Sequence, residues 1–148
     1  TATMTFGMVE TEEERIEHLQ NIRNLQDETG VFRAFIPWTF SPDNTNMSDV
    51  KKLGTEDYLR MVAIARLFLD NIDHIHAGWV TEGLPVASLA LSAGADDMGG
   101  ILMEEVVVKA TGISHRVNKE ALIKHIKNAG KIPVRRNTAY EILEIIES

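Results

Sequence analysis

Apolar residues recur along this chain in two rhythms, and the alternation of those rhythms predicts its architecture. Ala2–Phe6 is a short β-branched and aromatic run that ends at Gly7, as a strand does. After it, Ile16, Leu19, Ile22 and Leu25 recur at helical spacing. Thr11 with Glu14 three residues on forms a capping box for that helix. Glu12 and Glu13 favour its positive end, and Gly30 stops it. A second strand is predicted over Phe32–Trp38, and the polar loop Ser41–Gly54 follows, with turn chemistry at Pro42-Asp43-Asn44. Thr55 then caps a helix whose body, Tyr58–Leu69, is apolar on almost every side and broken only by Arg60 and Arg66. A helix with one wet face does not have that pattern, so it must pack on the sheet and on neighbouring helices or a partner chain.

A third strand is read over His74–Val80, closing near Gly83, with Pro85 in the first turn of a short helix Val86–Ala93 that Gly94 ends. Ala95–Leu102 is a weak fourth strand, interrupted by Gly99-Gly100. Met103–Thr111 is taken as helix, with Glu104, Glu105 and Lys109 outweighing Val106-Val107-Val108. Asn118 caps a helix to Ala129 with Leu122, Ile123 and Ile126 inward, and Gly130 closes it. Lys131–Val134 reads as extended around Pro133, and Asn137 as the cap of a last helix through Glu147. No linker divides the chain, so 1–148 is expected to be one domain.

Four strand-then-helix units plus C-terminal helices predict an α/β fold with a parallel sheet. A complete (β/α)8 TIM-type barrel takes about 250 residues, so four units in 148 amount to half of one. Such a half leaves open sheet edges and an inner face made for a barrel core. A particle of this chain alone is therefore expected to self-associate or to pair with a missing N-terminal half. The opening segment reads as strand with no leader, which a removed initiator Met or a cut through a larger protein would explain equally.

Composition narrows the chemistry. The chain has no cysteine, which excludes disulfides, thiolate nucleophiles and iron–sulfur ligation by its own side chains. The net charge is −7 with scattered basic residues, Arg135-Arg136 being too short for a basic patch, so no nucleic acid is expected. No apolar run reaches the length of a membrane span, and a cytoplasmic location is expected.

Several segments resemble a known family, in order and over essentially the whole chain. Thr1–Thr11, Leu25-Gln26-Asp27-Glu28-Thr29-Gly30, Phe35-Ile36-Pro37-Trp38-Thr39-Phe40 and Ala65–Ile72 carry the likeness. So do Trp79-Val80-Thr81-Glu82-Gly83, Gly94-Ala95-Asp96-Asp97, Met103-Glu104-Glu105 and Arg136-Asn137-Thr138. They are similar to the C-terminal half of the radical S-adenosylmethionine (SAM) enzymes that cyclise dehypoxanthine futalosine in menaquinone biosynthesis. Aminofutalosine synthase and the deazaflavin (FO) synthase subunit share much of this pattern, and the Pro37–Phe40 and Trp79–Thr81 segments favour the cyclase. The resemblance implies a radical SAM barrel whose [4Fe–4S] cluster, on a C-x-x-x-C-x-x-C loop, cleaves SAM to a 5′-deoxyadenosyl radical. That loop belongs to the half absent here. The parent would be an enzyme acting on a small futalosine derivative, and this chain alone would be inactive. A non-catalytic half-barrel serving as an interaction module, and one half of a split enzyme, are the rival readings.

The C-terminal ends of barrel strands carry the active face. The residues so placed are Thr5, Glu10, Trp38, Thr39, Trp79, Thr81, Asp96 and Asp97, expected to meet SAM or substrate. Each has a plainer role: Thr5 as a strand residue, Glu10 as a helix-entry charge, the tryptophans as barrel filling, Asp96-Asp97 as a turn. Adjacent aspartates on a strand point opposite ways, so at most one should face the cavity. His74 and His76 share a face but lack a third ligand, and no metal site is assigned. Glu104-Glu105 reads as a solvated helix face, His115-Arg116 as a cover for the barrel bottom, and Gly99-Gly100 as too little for a phosphate loop.

Overall fold

The computed structural model describes residues 1–101 and 117–147. Its frame is a three-stranded parallel sheet in the order β1 (Ala2–Phe6), β2 (Ala34–Thr39), β3 (His74–Ile75). Met4 lies opposite Pro37, Thr5 opposite Trp38, and Phe35 opposite Ile75. The weak fourth strand is reduced to one parallel bridge, His76 to Asp97, because the glycine turn at Gly99 leaves the sheet two residues later. The result is a mixed α/β arrangement with the expected parallel sense.

Helix α1 (Glu12–Thr29) begins at Thr11 with both capping-box hydrogen bonds formed, and Gly30 ends it at φ 61°. Only Leu19 and Ile22 of its predicted stripe are buried, while Ile16 and Leu25 are exposed. β2 starts two residues later than predicted. The Gln26 amide binds Phe32 instead, accepting its N–H at 2.8 Å and donating to its carbonyl at 3.0 Å. Helix α2 (Thr55–Phe68) is capped at Gly54 rather than Thr55, with Asp57 Oδ2 accepting the Gly54 N–H at 3.2 Å. The apolar character of α2 is answered by neighbouring helices, since it packs on α1, β2, β3 and α3 and buries Tyr58, Met61, Val62 and Ala65. Leu67 on the same helix is 83% exposed.

Two predicted elements are corrected. The strand His74–Val80 stops early, and α3 (Trp79–Ala93) begins inside it. Gly78 turns the chain there, its N–H donating to the buried Tyr58 hydroxyl at 2.7 Å, and Trp79 completes its burial from the helix. Gly83, at φ 79° and ψ 161°, kinks α3 into two pieces, and Pro85 falls in the first turn of the second. The last helix does not form either. After α4 (Lys119–Asn128), the strands β4 (Val134–Arg136) and β5 (Ile142–Ile145) make an antiparallel hairpin. Asn137 Oδ1 does accept following N–H groups, as a cap would. They belong to Ala139 and Glu141, and the bonds close the hairpin turn with Tyr140 at φ 67°. The β-branched Ile142 and Ile145 then follow their strand preference. Leu122, Ile123 and Ile126 of α4 are half-buried. The predictions over 102–116, including Met103–Thr111, Glu104-Glu105 and His115-Arg116, lie outside the described residues.

Candidate functional site

The parallel sheet has two unlike faces. Ala2, Met4, Phe6, Phe35 and Ile75 point into the helix layer and join one apolar core with Tyr58, Val62, Ala65, Trp79 and Ala90. The residues between them, Thr3 and Thr5 on β1 and Ile36 and Trp38 on β2, emerge on the other side. Cross-strand partners in register share a face, so Thr5 sits beside Trp38, and Asp97 beside His76. This second face carries the candidate site.

Thr5 is exposed and Trp38 half-buried at the C-terminal ends of their strands, where they were expected. Thr39 is not with them. It points into the helix layer, and its hydroxyl donates to Glu82 Oε1 in the first piece of α3. Trp79 is 3% exposed within the core, on a helix rather than at a strand end. Thr81, on the same helix, reaches only the Gly78 carbonyl, at 3.4 Å. Glu10 is committed to its own loop, accepting from Gly7 N–H at 2.5 Å, Met8 N–H at 2.9 Å and Arg15 Nε at 2.7 Å. Burial alone would push its carboxyl up, but those hydrogen bonds hold it below the usual range.

The two aspartates bind different partners. Asp96 accepts from Arg66 Nη2 at 2.7 Å and from Ile75 N–H at 2.8 Å, with His74 Nδ1 2.6 Å away. Asp97 accepts from Arg136 through two nitrogens, from the Tyr140 hydroxyl at 2.8 Å and from Gly99 N–H at 2.9 Å. Desolvation pushes the Asp97 carboxyl up, yet Arg136 and these other donors bring it net below the ordinary aspartate value. Both aspartates border a cavity of about 1110 Å³ between Ala95–Ile101, α4 and the hairpin. Thr5, Trp38, Trp79 and Thr81 do not line it.

Two residues were missed by the sequence reading, and a third, His76, was weighed there only as one of a histidine pair. Arg136 appears there in a short basic pair and in the segment Arg136-Asn137-Thr138, and Tyr140 only within the span of the predicted last helix. In the fold, Tyr140 is sandwiched, its ring 3.9 Å from the His74 ring at 9° and its centroid 3.8 Å from the Arg136 guanidinium carbon. His76 is the third. Its Nδ1 is shut off from solvent without a partner, and burial holds the imidazole below its ordinary pKa, so it is neutral at neutral pH. Among the described residues no group of three or more His, Asp or Glu converges to hold a metal ion.

With this geometry in view, the comparisons with known proteins are specific. The family described as CofH/MqnC C-terminal region matches residues 29–148. Cyclic dehypoxanthine futalosine synthase of Halalkalibacterium halodurans is 50% identical over 147 residues, covering 99% of this chain and 40% of the relative. The protein of that name from Streptomyces coelicolor is 49% identical over 145 residues, covering 98% and 36%. Aminodeoxyfutalosine synthase of Thermus thermophilus is 39% identical over 152 residues, covering 97% and 40%. The chain thus spans about two fifths of the length of these curated relatives.

Proposed function

Because the chain belongs to the CofH/MqnC C-terminal region family, we propose that it supplies the substrate-facing half of a radical SAM barrel in menaquinone biosynthesis. The reaction is the cyclisation of dehypoxanthine futalosine. One observation carries this reading: a parallel sheet whose helix-side face is sealed and whose other face presents Thr5, Trp38 and His76. That second face is the inside of a (β/α)8 barrel, and the missing partner is its N-terminal half. Identity near 50% to two cyclases, against 39% to an aminodeoxyfutalosine synthase, favours the cyclase over its relatives.

The residues present do not fit the iron–sulfur cluster, for there is no cysteine to ligate it, so its ligands belong to the other half. SAM fits better. The exposed Thr5 hydroxyl and the adjacent half-buried Trp38 ring offer a hydrogen-bonding group and a stacking face for an adenosine or for the substrate's ribose and base. When bound, SAM supplies the initiating radical. The work of this chain is to hold and orient the reactants against that face and to keep water from it, with His76 neutral beneath them. No helix among the described residues is long and apolar enough to cross a membrane.

A chimera tests the reading. The matching segment of the H. halodurans synthase is replaced by this chain, and the product is assayed with dehypoxanthine futalosine. Cyclised product is expected, with Trp38→Ala and Thr5→Val each lowering kcat/KM. A chimera that folds, carries its cluster and forms no product would refute the assignment.

A further inference from the structure

The C-terminal hairpin reaches the sheet through the Asp97 carboxylate and through the Tyr140 ring stacked on His74. Asp97 stands on the open face as the register partner of His76, and among the described residues donors reach its carboxylate from two directions. Arg136 and Tyr140 approach from the hairpin, and Gly99 N–H from the turn that follows. Tyr140 holds a left-handed backbone conformation (φ 67°), uncommon for an aromatic residue, and is braced on both ring faces by His74 and Arg136. A hairpin serving only as a cover has no need of that arrangement. It converts the position of Tyr140 into the position of Asp97.

What Asp97 holds in turn is the turn Gly99–Gly100. Gly99 has φ 68°, and a Cβ there would fall 2.0 Å from His76 Nε2, so the turn and the His76 ring are fitted to each other. Among the described residues, a Cβ on Gly100 would meet nothing within 4 Å. The turn lies just past the C-terminal end of the last parallel segment described, which is where ligands bind in parallel α/β folds. Bare backbone there allows close approach of a ligand.

We propose that Arg136 and Tyr140 are positioning residues for substrate binding, fixing the Gly99–Gly100 turn and the His76 ring through Asp97. This rests on the barrel reading above. The geometry assigns no role in the chemical step, so the effect falls on binding.

The test uses the chimera and steady-state kinetics with dehypoxanthine futalosine at saturating SAM. Arg136→Ala is expected to raise KM about tenfold and Tyr140→Phe about threefold, with kcat within about twofold of the parent. Arg136→Lys, which keeps one charged donor to Asp97, should recover most of the loss. Arg135→Ala, which removes only the surface pair with Glu144, should change neither constant. Should Arg136→Ala fail to fold, Tyr140→Phe decides, since it keeps the ring stack and removes one hydrogen bond. Unchanged KM in folded Arg136→Ala or Tyr140→Phe protein, or a fall in kcat alone, overturns the proposal. A parent chimera that folds with its cluster and makes no product refutes the barrel reading instead, so the two failures are distinguishable.

Discussion

The helix-covered face of the sheet and its opposite face are built by different rules. On the covered face, Phe6, Phe35 and Ile75 have no exposed surface and join one apolar core, so their identity is set largely by volume. On the other face the strands present Thr3, Thr5 and Trp38, and the bridge beyond β3 adds His76 and Asp97, residues that a core does not need. Alternation along each strand carries both messages at once. One parity reports how the fold is held, and the other what it is held for.

That contrast can be broken by experiment, beginning with the largest effect. In the chimera, Phe35→Ala should lower unfolding free energy by about 3–5 kcal/mol, because it opens a cavity in a sealed layer. Trp38→Ala, one face away, should cost far less stability and lower kcat/KM about tenfold, or about 1.4 kcal/mol of transition-state binding. Denaturant unfolding and initial rates on the two variants give the comparison directly. If Trp38→Ala costs as much stability as Phe35→Ala and leaves activity intact, the faces are not functionally distinct.

A smaller effect separates them by pH. Burial is the main cause of the lowered His76 pKa; Asp97 and Asp96 work against it, and Arg136 adds to it. The unfolded chain therefore takes up the His76 proton before the folded one does as pH falls. The stability held by the neutral ring is full above the ordinary histidine pKa of about 6.5 and is lost progressively below it, down to the folded value. Melting curves from about pH 8 to about pH 5 should show that decline. In His76→Gln it should be flattened. Asp97 works in a lower window: its lowered pKa gives stability that is present above the ordinary aspartate value and lost as pH falls through the folded one. Smallest of all, Thr39→Val removes one side-chain bond to Glu82 and should cost about 1 kcal/mol in chemical denaturation. That loss should come with little change in KM, because Thr39 belongs to the covered face.

Local chemistry made the first half of the fold legible. The Thr11/Glu14 box, the Gly30 stop and the β-branched run Ala2–Phe6 each act within a few residues, and the structure keeps all three. The parallel sense followed from alternating strand and helix patterns, and the structure keeps that as well. Long-range partners decided the remainder. The sequence places Trp79 near the end of a strand His74–Val80. The Gly78 turn, held by Tyr58 from twenty residues away, starts a helix at Trp79 instead. The C-terminal apolar run fitted a helix by composition, but Asn137 closes a turn there and Ile142–Ile145 pair with Val134–Arg136. Of the candidate site, Thr5 and Trp38 were found by counting along strands. Arg136 and Tyr140 escaped because their meaning lies in Asp97, 39 and 43 residues distant, and no spacing signals it.

The most direct test of the open face uses its tryptophan as the reporter. Trp79→Phe conserves apolar bulk in the core and leaves Trp38 as the only tryptophan contributed by this chain. In a chimera carrying that change, with any tryptophan of the other half replaced by phenylalanine, Trp38 emission is followed while dehypoxanthine futalosine is added. A saturable change in emission whose midpoint tracks KM is the predicted result. Emission that stays constant through the concentrations at which the chimera turns over substrate would contradict the account.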